Sequence, residues 1–524
     1  MQRSSYRAPL IIALAVVFGM CLGVAFDFDR RAMGFWPSNA PATKLLQLID
    51  YIESDYVDAV AADSIVDLTV NRLLEQLDPH STYISSQLYP SIEDDMRGDF
   101  VGVGINFYLY QDTIAVIRSV IDGPAAAAGI ASGDRILTAD GRPLFGAHAD
   151  RDSVAQWIRG PVKTPVRLEV FRPSADSLFV VDVMRERIPL ASVEGGQMLR
   201  PGIGYLKINR FTETTEDEFI LKLKDLTAQQ MDTVILDLRD NPGGYVGSAL
   251  GILDQFMPSG TLLLTTKNKQ GRKRNSYAER RGLFEKGALY VLLNEQSASS
   301  AEIVAGALQD QDRAIIVGRR SFGKGLVQRE MGFGDGSAVR LTVARYYTPS
   351  GRSIQRPYGT DRSAYLEDIE ARIARGEMQD SSLMPQPDSL TFVTSNGKRV
   401  YGGGGIAPDL FVPLPTSIED QTLRYLNRSG LMSYVVFDYL ENHRSEFADM
   451  TAHEFIEHYK TSSDLLEKFM DDAQLKASGM PMTNQEAQLS SLLKAELADQ
   501  VYGPQYALQL LLQADPMIDK VFAH

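Results

Sequence analysis

The sequence predicts a multidomain α+β protein, with an α/β core, an inserted β-rich domain, and helical N- and C-terminal regions. Three observations carry that expectation. At 524 residues the chain is long enough for three or four domains. Over residues 204–317, short apolar strands alternate with amphipathic helices, the pattern of repeated βαβ units in an open sheet. Over residues 100–187 the texture is short β-rich pieces, whereas 42–97 and 417–524 carry a helical period. The expected boundaries are 1–26 for a terminal apolar segment, then 27–97, 98–187, 188–415 and 416–524.

Composition narrows the function classes. Apolar residues make up 44% and charged residues 23%, ordinary globular values that exclude global disorder, collagen-like repeats and a polytopic membrane protein. A net charge of −14 argues against nucleic acid or anionic lipid as partner, since both need clustered positive charge. The single cysteine, Cys21, excludes an intramolecular disulfide and a cysteine-based metal site. Six histidines leave little imidazole for chemistry.

Arg3 and Arg7 precede an uncharged apolar run over residues 8–26. At ~1.5 Å per residue the run spans about 28 Å, close to a bilayer's hydrocarbon thickness, whereas a signal-peptide core has about 7–15 residues. Gly23-Val24-Ala25 still offers a small-residue cleavage site, so a retained anchor is the first expectation and a cleaved signal the second. Cys21 invites a lipoprotein reading, but Phe18-Gly19-Met20 ahead of it is a poor match in size. Positive charge before the run keeps the N-terminus cytoplasmic and exports the rest. The expected location is periplasmic or otherwise extracytoplasmic, with membrane contact through this segment only.

Along the chain, Leu45, Leu46, Leu48, Ile49, Tyr51 and Ile52 recur near the helical period, a second helix covers 64–77, and Asp78-Pro79-His80-Ser81 stops it. Strands are expected at 101–110, 113–120, 135–138 and 166–172, with a small helix at 153–159. The α/β region then reads strand 204–209, helix 216–230, strand 232–238, helix 245–257, strand 288–293, helix 299–308 and strand 313–317. The near-continuous apolar run of 232–238 suits a strand buried on both faces. Residues 332–347 read as a hairpin turning at Gly334-Asp335-Gly336, and 360–400 as polar and irregular. The sequence has no internal repeat.

Three motifs mislead. His453-Glu454-Phe455-Ile456-Glu457-His458 resembles a helical zinc motif, which needs histidines at i and i+4. A spacing of five sets the two rings ~140° apart around a helix, so a solvated helix surface is expected. Gly318-Arg319-Arg320-Ser321-Phe322-Gly323-Lys324 fits a phosphate loop until Gly325 replaces the Ser or Thr that holds magnesium, and no helical period follows. The Gly402–Gly405 run fits no dinucleotide fingerprint and reads as a tight connection.

Ser299 and Glu302 make a capping box, Ser-x-x-Glu, at a helix start. The same geometry allows chemistry. A serine at a helix N-terminus after a buried strand sits beside unpaired N–H groups that can hold a developing oxyanion. Here the residues resemble a family. S-A-S-S-A-E-I-V-A-G-A-L-Q-D at 297–310 and S-F-G-K-G-L-V-Q at 321–328 are similar to the carboxy-terminal processing peptidases, or tail-specific proteases. So, in collinear order over about 70–415, are L-D-P-H-S, D-L-R-D-N-P-G-G, Y-Y-T-P-S-G-R-S-I-Q and Y-G-G-G-G-I-A-P-D.

That resemblance implies a serine protease core using a Ser/Lys dyad assisted by Gln. Carried over by motif, the nucleophile falls on Ser299, the base on Lys324 and the supporting amide on Gln328, one helical step of four beyond the lysine. The family usually reads S-A-S-A-S-E, so Ser300 beside Ser299 leaves a one-residue alternative. Ser299 is preferred because the Ser300 N–H then takes the expected oxyanion role. The second donor is Gly243 or Gly244, where glycine lets the backbone approach the scissile carbonyl.

The β-rich domain resembles a PDZ domain, through Gly102-Val103-Gly104-Ile105 and through D-G-P-A-A-A-A-G-I-A-S-G-D-R-I-L at 122–137. Successive N–H groups of Gly102, Val103, Gly104 and Ile105 make a nest for a free carboxylate, and an edge strand takes a peptide by β-augmentation. The partners expected are protein substrates with free C-terminal tails, together with a homo-oligomer or adaptor contact through the helical regions. The rival is a non-catalytic PDZ scaffold, which has less reason to keep Ser299, Lys324 and Gln328 together. No cofactor is expected, and no His/Cys/Asp cluster has ligand spacing. Chelators should therefore leave peptidase activity unchanged; activity lost with chelator and restored by zinc contradicts this.

Overall fold

The computed structural model describes residues 41–146, 154, 157–359, 362–475 and 485–524. The apolar run 8–26, its cleavage site, Cys21 and His148 lie outside the described residues. Residues 1–77 and 78–524 form two units. The described part of the first is two helices, α1 (Pro41–Asp55) and α2 (Ala62–Glu75). Leu46, Leu48 and Tyr51 on α1 are exposed. Among the described residues no helix is long and apolar enough to cross a membrane.

The second unit opens with β1 (Thr82–Ile84) and α3 (Tyr89–Arg97). Next, β2 (Asp99–Gly102) pairs with β9 (Glu186–Pro189) and closes off the chain between them. That chain forms β3 (Ile105–Tyr110), β4 (Thr113–Ser119), the one-turn α4 (Pro124–Ala127), β5 (Arg135–Ala139), β6 (Arg142–Pro143), β7 (Pro165–Arg172) and β8 (Ser177–Met184). The sheet order is β3-β4-β5-β7-β8, with β6 on β5. Strand alternation gives it two apolar faces. Ile114 and Val116 face the domain's own core with Val154 and Ile158, while Ala115 faces Phe437 of a C-terminal helix.

The α/β region follows as β10 (Val193–Arg200), β11 (Ile203–Ile208), α5 (Thr215–Ala228), β12 (Thr233–Asp237), α6 (Val246–Asp254), β13 (Leu262–Asn268), β14 (Lys273–Tyr277), β15 (Ala288–Leu293), α7 (Ser300–Asp310), β16 (Ile315–Gly318), β17 (Leu326–Gly332) and β18 (Ala338–Tyr347). Beyond them come α8 (Arg362–Leu366), α9 (Asp368–Ala374), β19 (Thr391–Val393), β20 (Arg399–Tyr401) and β21 (Leu410–Phe411). One sheet runs β10-β11-β12-β15-β16-β21, parallel from β11 onward. In β12, Val234 and Leu236 face the helices α5, α6 and α7, and Ile235 faces the opposite layer. Burial on both sides is why its sequence is a near-continuous apolar run. A second, antiparallel sheet runs β1-β18-β13-β14, with β17 on β18.

The C-terminal helices are α10 (Ile418–Arg428), α11 (Leu431–His443), α12 (Ala452–His458), α13 (Ser463–Asp472), α14 (Glu486–Tyr502), α15 (Pro504–Leu512) and α16 (Pro516–Ala523). The helices α10 to α14 share one core around Val435, Val436, Phe455 and Phe469. The last helix does not join it. Met517, Ile518 and Val521 pack on Tyr205, Ile235, Leu292 and Val317, covering the second face of the parallel sheet.

Several expectations are corrected. Residues 42–97 are not helical throughout, because Thr82–Ile84 pairs with β18; three residues are too few to show a period. The strand expected at 101–110 breaks at Val103-Gly104, where Gly104 takes a φ of 76°. The hairpin begins at Leu326 rather than 332, and residues 360–400 hold two short helices. Strands β10, β13 and β14 escape notice because charged, polar or glycine residues interrupt their apolar pattern. Ile518 is 1% exposed, so Ile518→Ala should cost about 2–5 kcal/mol in urea unfolding. A cost below about 0.5 kcal/mol, the value for a surface site, would contradict the packing.

Candidate active site

Ser299 stands on a sharp turn between β15 and α7, with φ of 55° and ψ of −114°. A non-glycine residue there carries about 1–3 kcal/mol of strain, which surrounding contacts must hold. They do so on both sides. Ser297 Oγ donates to the Leu238 carbonyl at 2.8 Å, and Ala298 N–H donates to the Asn241 carbonyl at 2.9 Å. Ser300 Oγ donates to the Gly244 carbonyl at 2.9 Å. The segment 297–300 is thus stitched to 238–244. A Cβ on Gly243 would lie 2.6 Å from Ser299 Cβ, so only glycine fits against the serine. The capping box is present, and the Ser299 N–H donates to Glu302 Oε2 at 3.0 Å.

Glu302 does more than cap. It is fully buried, and it also accepts from Ser321 Oγ (2.5 Å), Gly323 N–H (2.7 Å) and Lys324 N–H (2.8 Å). Burial holds its carboxyl above the ordinary value, a shift these four donors oppose without cancelling. Tyr346 adds a second tie: its hydroxyl lies 3.1 Å from the Ser299 carbonyl and 2.8 Å from that of Lys324. The serine turn and the lysine loop are therefore held as one piece.

Lys324 is half-buried, and its Nζ donates to Gln328 Oε1 at 2.9 Å. No hydrogen bond joins it to Ser299 Oγ in this structure. Burial depresses its pKa below the ordinary lysine value, Arg340 adds to the shift, and Glu302 and Asp78 oppose it. Gln328 reaches the lysine from an extended strand, with a register shift between Val327 and Gln328, and not through the helical step expected. Its amide orientation is fixed from behind: Nε2 donates to the His80 carbonyl at 2.6 Å, which leaves Oε1 to face the lysine.

Sequence reasoning took the segment 78–81 as a helix stop and as part of the family resemblance, and gave it no role in the site. Asp78 accepts from the N–H groups of His80 and Ser81 and from Ser81 Oγ. Burial pushes its carboxyl up, but these bonds outweigh that and hold it below the ordinary value. The His80 ring lies edge-on to Phe322 and Tyr365, with Nε2 2.7 Å from the Tyr365 hydroxyl. Burial first, then the Lys324 charge, lower its pKa to about 4. It is a neutral positioning group above that pH. L-D-P-H-S carried the signal, but no spacing rule connects it to a strand over 240 residues away.

The remaining candidates sort as follows. Gly243 N–H donates to Asn241 Oδ1 at 2.8 Å, whereas the N–H groups of Gly244 and Ser300 have no partner among the described residues. Gly102, Val103, Gly104 and Ile105 lie where β2 passes into the edge strand β3. His453 and His458 are exposed beside Glu457, and the Gly318–Lys324 loop leads into a strand, so neither decoy forms a site. Among the described residues no acidic, histidine or cysteine cluster could hold a metal. The Gly402–Gly405 run is more than a connection. A Cβ at Gly405 would sit 2.7 Å from the Ser321 carbonyl, and Ile406 N–H donates to Ser321 Oγ, so it backs the lysine loop.

This fold and its component domains define a serine-type peptidase with a PDZ domain. Residues 202–362 match Peptidase family S41, 116–172 match the PDZ domain, and 422–503 match a family of unknown function. A carboxy-terminal-processing protease of Bartonella bacilliformis is 36% identical over 312 residues, 59% of this chain and 71% of that protein. The carboxy-terminal processing protease CtpA of Bacillus subtilis is 32% identical over 314 residues, 60% of this chain and 66% of that one. A solved photosystem II D1 C-terminal processing protease is 23% identical, with a TM-score of 0.37 over 73% of this chain and 90% of that one. The chain belongs to the carboxy-terminal processing proteases.

The Glu302 clamp yields a prediction. Glu302→Gln offers one accepting oxygen to four donors, so stability should fall by about 1–3 kcal/mol and turnover by at least about tenfold. Thermal melting and peptidase rate on the same variant check both. Unchanged turnover would mean that the two loops do not depend on the carboxylate.

Proposed function

We propose that this protein is an exported peptidase that captures free C-terminal tails with its PDZ domain and hydrolyses a peptide bond with Ser299, using Lys324 as general base. One observation carries the reading: Ser299 and Lys324 are tied through Glu302, and the half-buried lysine is depressed in pKa and paired through its amine to a neutral amide. An ammonium cannot accept the serine proton, so the lysine must be neutral at attack. Gln328 accepts one N–H of that amine without adding a negative charge, and so does not raise the pKa. For the step to run, the lysine lone pair must turn from Gln328 to Ser299 Oγ, a tightening expected of catalytic hydrogen bonds on substrate binding.

The rest of the step follows. Ser299 Oγ attacks the scissile carbonyl, its proton passing to Lys324. The developing oxyanion meets the Ser300 N–H and a second donor from Gly243-Gly244, where the Gly244 N–H has no partner among the described residues. Lysine then returns the proton to the leaving amine, and water releases the acyl group by the same route. Ser300 is a poor alternative nucleophile, because it is fully buried and its hydroxyl is committed to Gly244. Residues 8–26 would carry the chain through or out of the membrane, and the catalytic unit would work outside the cytoplasm. Detection of residues 41–524 in the periplasmic or membrane fraction tests that location, and a cytoplasmic pool contradicts it.

Two measurements test the chemistry. Ser299→Ala should lower turnover by several orders of magnitude with little change in melting, while Ser300→Ala retains measurable turnover. The reverse ranking would move the nucleophile by one residue. The rate should rise with pH through an apparent pKa below the ordinary lysine value of ~10.4, because only the deprotonated amine works. Lys324→Arg should be inactive, since guanidinium stays protonated. A pH-independent rate, or an active Lys324→Arg, would remove Lys324 as base.

Amidation of a substrate's C-terminus removes the charge that the Gly102–Ile105 nest would bind. Cleavage should then slow at least about tenfold. Equal rates for free and amidated tails would contradict tail capture by this loop.

A further inference from the structure

Helix α11 crosses the PDZ sheet on the face opposite the domain's own core, and its contacts give its direction. Glu441 pairs with Arg135 on β5, and Arg444 beyond it donates to Ser132 Oγ. Phe437 is fully buried against Ala115 on β4 and the rings of Tyr108 and Tyr110 on β3. One turn earlier, Tyr434 meets the same two β3 rings, at centroid distances of 6.3 and 6.0 Å. From Tyr434 to Glu441 the helix advances about 10.5 Å, and two strand spacings from β3 to β5 are about 9.6 Å. The helix therefore runs across the strands, with its N-terminal turn pointing past β3.

Beyond β3 the sheet has no further strand among the described residues. One more strand spacing, about 4.8 Å, equals about three helical residues. That places Gly430 over the slot an added strand would occupy, while the Leu431 side chain packs on the C-terminal helical core. The slot is open: a Cβ at Gly430 meets nothing within 4 Å, and Tyr434 is 38% exposed.

We propose that a substrate tail added to β3 is read on both faces, with Tyr434 in the first turn of α11 selecting apolar or aromatic side chains at alternate positions. The inference rests on the capture of tails by the Gly102–Ile105 loop and β3. An added strand shares the pleat of its neighbour, so its side chains alternate between the domain core, where Ile105 and Phe107 point, and the α11 side, where Tyr108 and Tyr110 point. With the carboxylate held near Ile105 and the tail antiparallel, the residues about three and five before the terminal one face Tyr434. Specificity would thus be divided between the PDZ domain and the C-terminal helices.

The test uses the full chain carrying Ser299→Ala, so that tails bind uncut, and fluorescent peptides of ten residues with a free carboxylate. Phe in place of Asp three positions before the terminal residue should tighten Kd by about 3–10-fold. Adding Tyr434→Ala should reduce that preference below about twofold, Tyr434→Phe should keep it, and preference at the terminal residue should not move. A three-residue tail, too short to reach Tyr434, should bind both proteins equally. A Phe preference that survives Tyr434→Ala, or an equal loss for the three-residue tail, overturns the inference alone. Loss of the difference between free and amidated tails on the starting protein overturns the capture reading, and the inference with it.

Discussion

A buried carboxylate joins the two halves of the site. Glu302 sits in the first turn of α7 and takes its hydrogen bonds from the turn that precedes the helix and from the loop after β16. Removing a carboxylate from water costs several kcal/mol. Four donors, each worth about 1.5–3 kcal/mol to a charged acceptor, offset part of that cost and leave the carboxyl shifted upward. All four are backbone N–H groups or a hydroxyl, so the carboxylate is occupied without forming an ion pair with the Lys324 ammonium. Such a pair would hold the proton on the lysine. The clamp therefore sets position while leaving the amine free to be depressed by burial.

The other contacts extend from that clamp. Tyr346, at the end of β18, spans the same two backbone segments. Gln328, on β17, is oriented by the His80 carbonyl, and the Asp78 turn fixes that carbonyl in place. On the glycine side, Arg239 is held by Asp237 and by Asp515 at the start of α16, both at 2.6 Å. The C-terminal helix thus braces the loop that carries Gly243 and Gly244. These supports come from positions 78, 239, 346 and 515; the first three lie in motifs that carry the resemblance, but no local motif shows how they meet.

How much was legible follows from the range of each interaction. The parallel sheet was readable because burial on both faces leaves near-continuous apolar runs, as in Thr233–Asp237 and Ala288–Leu293. Ser299, Lys324 and Gln328 came from motif resemblance, and the structure brings the lysine and amide into contact. The geometry between lysine and amide was misjudged, because a strand with a shifted register replaces the expected helical step. Glu302 was visible only as a cap, since its other partners lie 19 to 22 residues away across a loop. The Thr82–Ile84 strand and the covering role of α16 depend on long-range pairing, for which three residues or one amphipathic helix give no local signal.

The most direct test is to find the acyl group. A cleavable tailed peptide mixed with the intact protein and quenched within one turnover, then digested and sequenced by mass spectrometry, reports which side chain carried the ester. The account predicts an acyl adduct on Ser299, with Lys324 and Ser300 unmodified, and none in Ser299→Ala. An adduct on Ser300, an amide on Lys324, or full hydrolysis by Ser299→Ala would contradict it.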